Sequence, residues 1–223
     1  HNLGYPLILV DHRYGDGRFD TVAINNVVGG RRAVEHLLSL GHRRIGFVGG
    51  SLRSPSFRER LDGYREALSE AGIPADESLV QLGESHGGHD SMMRLLDLPE
   101  PPTAVFACND LNAVRALKAA RQRGLRVPED VSLIGYDDAS CAVETWPHLT
   151  TMRVDAEEMG RLAVRRLVAR INGQKGPAEE NILVSRLVTR DSTTFPKGSR
   201  GGSRLEMRKQ SVNLISYQQG VPT

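Results

Sequence analysis

Arg123-Gly-Leu-Arg-Val-Pro-Glu-Asp-Val-Ser-Leu-Ile-Gly-Tyr-Asp-Asp138 is the stretch on which the reading of this chain turns. Gly124 closes a helix, Pro128 turns the chain, residues 131–134 form a short apolar strand, and Asp137 and Asp138 follow just past its end. In open α/β sheets, ligands settle in the crevice outside the carboxyl ends of the strands, where loops deliver polar groups. A carboxylate pair in that place is a candidate site.

Working outward, strand and helix signals alternate on both sides. Upstream, residues 6–10 are an apolar run of the kind covered on both faces, with Asp11 directly after it. A short strand over 21–24 leads to Asn26, read as the cap of a helix whose stripe is Val27, Val34, Leu37 and Leu38, ending at Gly41. Next come a strand and turn over 44–50, a polar loop 51–56 and a helix with Leu61, Tyr64, Leu68 and Ala71 on one face, stopped by Gly72 and Pro74. A weak strand over 79–82, a helix over 89–98 and a strand over 103–107 lead to Asn109 or Asp110 as the cap of a helix over 111–123.

Downstream, an irregular segment 139–148 carries the single tryptophan, Trp146. An extended piece over 149–154 precedes a helix over 155–172 with Met159, Leu162, Ala163, Leu167 and Ile171 inward, and a strand over 182–188 closes the fold. The alternation implies an α/β fold with parallel sheets and right-handed crossovers.

Composition narrows the function. A 39% apolar share permits a proper core, and 29 basic against 27 acidic residues leave a net charge of +2, which gives no overall basic field for nucleic acid. Cys108 and Cys141 lack C-x-x-C spacing and fit a reducing compartment. No apolar run approaches the roughly 18 residues of a membrane span, so no membrane partner is expected. The chain starts at His1 and is already in a strand by residue 6, which reads as a truncated start. Residues 196–223, rich in Lys, Gly, Ser and Arg, are expected to form a flexible basic tail.

Cofactor motifs fail on inspection, so no cofactor or metal is expected. Gly15-Asp-Gly17 is followed by Asp20 where a dinucleotide fingerprint needs glycine, and there is neither a nucleophile elbow nor a phosphate loop. His86-Gly-Gly-His89-Asp90 lacks a third strong ligand, and solvated loop histidines are the simpler reading.

Several collinear segments resemble one family. Besides the opening stretch, these are Leu40-Gly-His-Arg-Arg-Ile-Gly-Phe-Val-Gly-Gly50, Arg58-Glu-Arg-Leu-Asp-Gly-Tyr-Arg-Glu-Ala-Leu68, Pro102-Thr-Ala-Val-Phe-Ala-Cys-Asn-Asp110 and His148-Leu-Thr-Thr-Met-Arg-Val-Asp155. Together they resemble the effector-binding domain of LacI/GalR transcriptional regulators over residues 5 to 195. Asn25, where aspartate is commoner, and Val154, where a polar residue is usual, depart from the pattern.

The resemblance implies a type I periplasmic-binding-protein-like fold: two doubly wound parallel-sheet subdomains joined by crossovers near Ile24, Arg153 and Val184. Residues 1–24 with 155–183 would form an incomplete N-terminal subdomain, and 25–153 with 184–195 the C-terminal one. Strands that should cover residues 7–10 would be missing, leaving the fragment marginally folded. The resemblance also implies a cytoplasmic homodimer, with 139–145 in its surface, and operator DNA bound only through a headpiece outside this chain. A periplasmic sugar-binding protein of a transport system is the alternative, and an enzyme a distant third.

The candidate ligand groups are Asp11, Ser56, Arg60, Asn109 and Asp137, with Trp146 or a residue of the loop 84–89 offering a flat face to a ring. All of the first five but Arg60 follow a predicted strand or open a helix, at one rim. The resemblance implies that they line the cleft between subdomains and contact a small sugar-like or nucleobase-like effector. Carboxylates accept hydrogen bonds from hydroxyls, an arginine fork donates two, and an asparagine does both, which suits a polyol. From spacing alone, Asp137 and Asn109 read first as turn and cap residues, a reading the resemblance reverses; Arg60 reads also as a solvated helix arginine, and Arg58, on a different face, as an alternative to it.

Overall fold

The chain's short apolar runs assemble into two sheets in a computed structural model that describes residues 5–12, 17–83 and 87–198. The smaller sheet joins β1 (Ile8–Val10), β2 (Asp20–Ile24) and β8 (Glu180–Leu183), all parallel, in the order β1-β2-β8. The larger has the order β4-β3-β5-β6-β7-β9, from β3 (Ile45–Gly49), β4 (Val80–Leu82), β5 (Ala104–Ala107), β6 (Ser132–Asp137), β7 (Thr150–Arg153) and β9 (Arg186–Val188). Its pairs are parallel except β7 with β9, an antiparallel edge on a doubly wound sheet.

Helices cover both faces of the larger sheet, and the period-two alternation of its strands decides which residue meets which layer. Val105 and Leu133 face one core with α3 (Gly88–Leu96) and α4 (Asp110–Gln122). Phe106, Ile134 and Tyr136 face the other, with α1 (Asn26–Ser39) and α2 (Pro55–Glu70). The smaller sheet carries α6 (Ala156–Ile171) over a core whose buried members among the described residues are Val22, Ile24, Met159 and Ala163.

Asp20 anchors that sheet. Only 5% exposed, it accepts hydrogen bonds from Arg166 Nε at 2.8 Å, Arg170 Nε at 2.6 Å and the Glu179 amide at 2.9 Å, so one carboxylate pins α6 and the start of β8 to β2. The chain passes between the sheets at β2 to α1, at β7 to α6 and at β8 to β9.

Several sequence expectations need correction. Asn25, not Asn26, caps α1, its side chain accepting from the Val28 amide at 3.1 Å; Asn26 is the first helical residue and its side chain turns inward. Strand β6 runs on through Asp137 rather than ending at Ile134. The segment 139–148 contains a short helix, α5 (Cys141–Glu144). The single strand expected over 182–188 is two strands in different sheets. Leu7 and Val10 are exposed, because β1 is an edge strand in a narrow sheet. Ile171 is 62% exposed, since the small core draws in Met159, Leu162 and Ala163 only.

Of the expected tail, residues 199–223 lie outside the described residues, while Lys197 ion-pairs with Asp130. Residues 13–16 and 84–86, with part of the Gly15-Asp-Gly17 turn, His86 and the start of the 84–89 loop, also lie outside them. Among the described residues no helix is long and apolar enough to cross a membrane.

Candidate functional site

Arg60 sits where an amphipathic helix would ordinarily place an apolar side chain, on the buried face of α2 beside Leu61 and Tyr64. That face meets α1 so closely that a Cβ on Gly63 would lie 2.1 Å from the Val27 carbonyl oxygen. The guanidinium, in a residue only 4% exposed, is fixed on every side. Nε donates to Asn26 Oδ1 at 2.9 Å, Nη1 donates to the Cys108 carbonyl at 2.6 Å and reaches Asp137 Oδ1 at 3.2 Å. Its Cζ lies 3.7 Å from the centroid of the Tyr136 ring, a desolvated cation–π contact. Arg58 is exposed on the other face of α2, so the helix turns only one of the two arginines inward.

Asp137 is the open member of the pair, with 40% of its side chain exposed. Asp11, Asp137 and Asp138 all hold positive φ, at 55°, 108° and 58°, and they are the non-glycine residues of the described chain that do so. Aspartate tolerates this region better than most residues, and such strain concentrates where a loop must aim a functional group. Burial pushes the Asp137 carboxyl above its usual range and the Asp11 carboxylate adds to this, with Arg60 opposing. The two acids therefore share one field although they follow strands of different sheets.

Asp138 points elsewhere. Its buried carboxylate is bonded by Arg153 and Arg190; burial works against the charge, but these two cations hold its pKa below the usual value. It braces the turn that presents Asp137.

Ser56 lies one helical turn before Arg60, its Oγ 2.8 Å from Ser54 Oγ. Asn109 caps α4, its Oδ1 accepting from the Asn112 amide at 2.9 Å and Asn112 Nδ2 at 2.8 Å; it follows Cys108, the carbonyl partner of Arg60. Trp146 stands apart, 72% exposed, its ring edge against His148 at 5.6 Å. The geometry thus joins Arg60 and Asp137 directly and sets Ser56 and Asn109 on neighbouring turns, while Asp11 acts on Asp137 through its charge.

Sequence reasoning missed Asp110. It is fully buried, accepting from the Ala139 amide at 2.8 Å and Thr151 Oγ1 at 2.6 Å, and it occupies space that a Cβ on Gly135 would need, 2.1 Å from Oδ1. Burial first, then the fields of Asp137 and Asp138, raise it to about 6 against the opposing Thr151 and Ala139 bonds. A raised carboxyl binds its proton more tightly in the folded state, so this group's contribution to stability grows as pH falls from about 6 towards about 4. Asp110→Asn is expected to remove that component: the change in urea midpoint between pH 6.5 and 4.5 should shift relative to the parent in the direction of less acid tolerance. Parallel profiles for the two proteins would contradict the assignment.

The described residues contain no group of three His, Cys, Asp or Glu side chains placed to hold a metal, and His89 is bonded to Asp90 and Gln122. Both cysteines are free thiols, and burial raises Cys108 to about 11.

Residues 34–193 match the model of a periplasmic binding protein-like domain. A LacI-family transcriptional regulator from Enterococcus faecium with bound ribose superposes with a TM-score of 0.80 at 32% identity, over 86% of this chain and 71% of that one. The chain belongs to the LacI family. Its relatives in that family include the transcriptional regulator CelR, whose cellobiose complex gives a TM-score of 0.78 at 39% identity over 83% of this chain and 58% of that one. In sequence, CelR of Thermobifida fusca is 42% identical over 173 residues, which are 77% of this chain and 51% of that protein. The chain spans about half the length of the LacI-family regulators it matches in sequence. These relatives are regulators, which sets the regulator reading above the transport-protein alternative.

Proposed function

We propose that this LacI-family domain senses a small neutral sugar, bound between the two sheets by Arg60, Asp137 and Asp11, as part of a DNA-binding regulator. The observation that carries this is the Arg60–Asp137 pair: a buried, fully oriented guanidinium beside a carboxylate that remains open to ligand. Hydroxyl groups satisfy such a pair without adding charge, and relatives with cellobiose and ribose in their structures support the sugar class over a nucleobase. Ligand would act through its differential affinity for a closed arrangement of the N- and C-terminal subdomains, residues 1–24 with 155–183 and 25–153 with 184–195.

In this reading the regulator is a cytoplasmic homodimer whose surface includes residues 139–145 and the exposed Val143. Operator DNA is engaged by a headpiece beyond these residues, and the work of the domain is sensing rather than catalysis. Titration calorimetry with cellobiose, ribose, other sugars and purines tests it. Heat is expected from a sugar, and Asp137→Ala should weaken that sugar by about 1.5–3 kcal/mol, the loss of a charged hydrogen bond. A panel in which only purines respond, or unchanged affinity in Asp137→Ala, would remove the proposed site.

A further inference from the structure

We propose that Tyr136 and Ser185 are positioning residues that tie the Arg60 guanidinium to the passages between the two sheets, so that the state of Arg60 is transmitted to all three passages. The inference rests on the reading that Arg60 faces the ligand.

Tyr136 is fully buried and carries the guanidinium on its ring at 3.7 Å. Its hydroxyl lies 2.9 Å from Ser185 Oγ, in the passage from β8 to β9, where Ser185 is 1% exposed. On its other side the guanidinium donates to Asn26, the residue that opens α1 directly after the passage from β2. Asp137, next in sequence to Tyr136, accepts from the Val154 amide at 3.2 Å in the passage from β7 to α6. The first and third passages are themselves joined, the Asn25 amide donating to the Leu183 carbonyl at 2.8 Å. Each passage is therefore one hydrogen bond from the unit formed by Arg60, Tyr136 and Asp137.

Packing alone does not explain the pair. A phenylalanine at 136 would fill the same volume against Phe106, whose ring centroid is 6.5 Å away, and an alanine at 185 would need no partner. Instead two buried hydroxyls satisfy each other, and α1 is shaped around them: a Cβ on Gly29 would lie 2.1 Å from Tyr136 Oη and 2.5 Å from Ser185 Oγ. Replacing both partners of a buried hydrogen bond by apolar groups of like shape is close to neutral for stability, so Tyr136→Phe with Ser185→Ala cuts the link while leaving no orphan polar group.

Amide hydrogen exchange without ligand tests the link. The double variant is expected to exchange at least tenfold faster at residues 25 and 184–186, with the β3 and β5 amides unchanged. Arg60→Gln should accelerate residues 184–186 in the parent, although Arg60 makes its own bonds to Asn26, Cys108 and Asp137, and should add nothing there in the double variant. Unchanged exchange at 184–186 in the double variant, an equal loss of protection in β3 and β5, or additive effects of the two changes would overturn the proposal. Because no sugar is added, a failure of sugar binding would bear on the proposed function alone.

Discussion

Replacing Arg60 by alanine is expected to lower the unfolding free energy by about 3 kcal/mol and to weaken a bound sugar more than any other single change in the site. The loss has separable sources. The Asn26 side chain and the Cys108 carbonyl, both held away from water, lose their donor, and an orphaned buried acceptor costs roughly 1–3 kcal/mol. Asp137 loses its counter-charge, but 40% of its side chain is open to solvent, so hydration relieves part of that cost. The stack on Tyr136 disappears as well. Arg60→Lys should recover only part of the stability, because an ammonium cannot reproduce the planar fork or the ring contact. Urea denaturation of parent, Lys and Ala proteins gives the order; an alanine variant as stable as the parent would mean that the guanidinium is solvated rather than built in.

Asp20→Asn is expected to act on the other sheet, by about 2 kcal/mol, and to change the response to acid. Burial works against the charge, but the Arg170, Glu179 and Arg166 bonds outweigh it and hold the Asp20 carboxyl at about 2, well below its ordinary value. The folded state therefore binds fewer protons than the unfolded chain between about pH 4 and pH 2. Its stabilisation is complete above pH 4 and lost as pH falls through 2, and a shift of this size corresponds to about 2.5 kcal/mol. Arg166 and Arg170 would be left side by side, with Glu179, 2.8 Å from Arg166, as their remaining nearby counter-charge among the described residues. The core beneath them is small, with four buried apolar residues and four partly buried ones among the described residues, so the ion cluster carries a large share of the hold on α6. Thermal unfolding followed at pH 4.5 and pH 2.5 should show a steep acid loss in the parent and a flatter one in Asp20→Asn. Equal acid sensitivity would contradict the cluster's role.

The alternation of apolar runs and helix signals made the layered fold legible, because a strand covered on both faces must be apolar at successive positions, as Ile134 and Leu133 are in facing opposite cores. Arg60 and Asp137 were legible as candidates through the strand-end rule and the resemblance. The boundary errors have local causes: adjacent asparagines at 25 and 26 are equally good caps, and only the inward pull of Glu59 and Arg60 on Asn26 decides between them. The apolar pattern of residues 182–188 reads as one strand; the change of sheet near Val184 is implied by the resemblance alone. Asp110, the Tyr136–Ser185 bond across 49 positions and the Asp20–Arg166 bond across 146 were invisible, since buried polar partners are chosen by tertiary geometry.

The tight seam between α1 and α2 has a practical meaning for anyone wishing to redesign the ligand preference of this domain. Gly29 and Gly63 face a hydroxyl pair and a carbonyl at distances no side chain can share, so a library that randomises them would fill with clones that do not fold. Asp11 holds a positive φ and Asn109 caps α4, whereas position 56 sits in the first turn of α2, where new side chains can be sampled without prying the helices apart. Diversity placed there, with the glycine seam held constant, searches chemistry instead of breaking the scaffold.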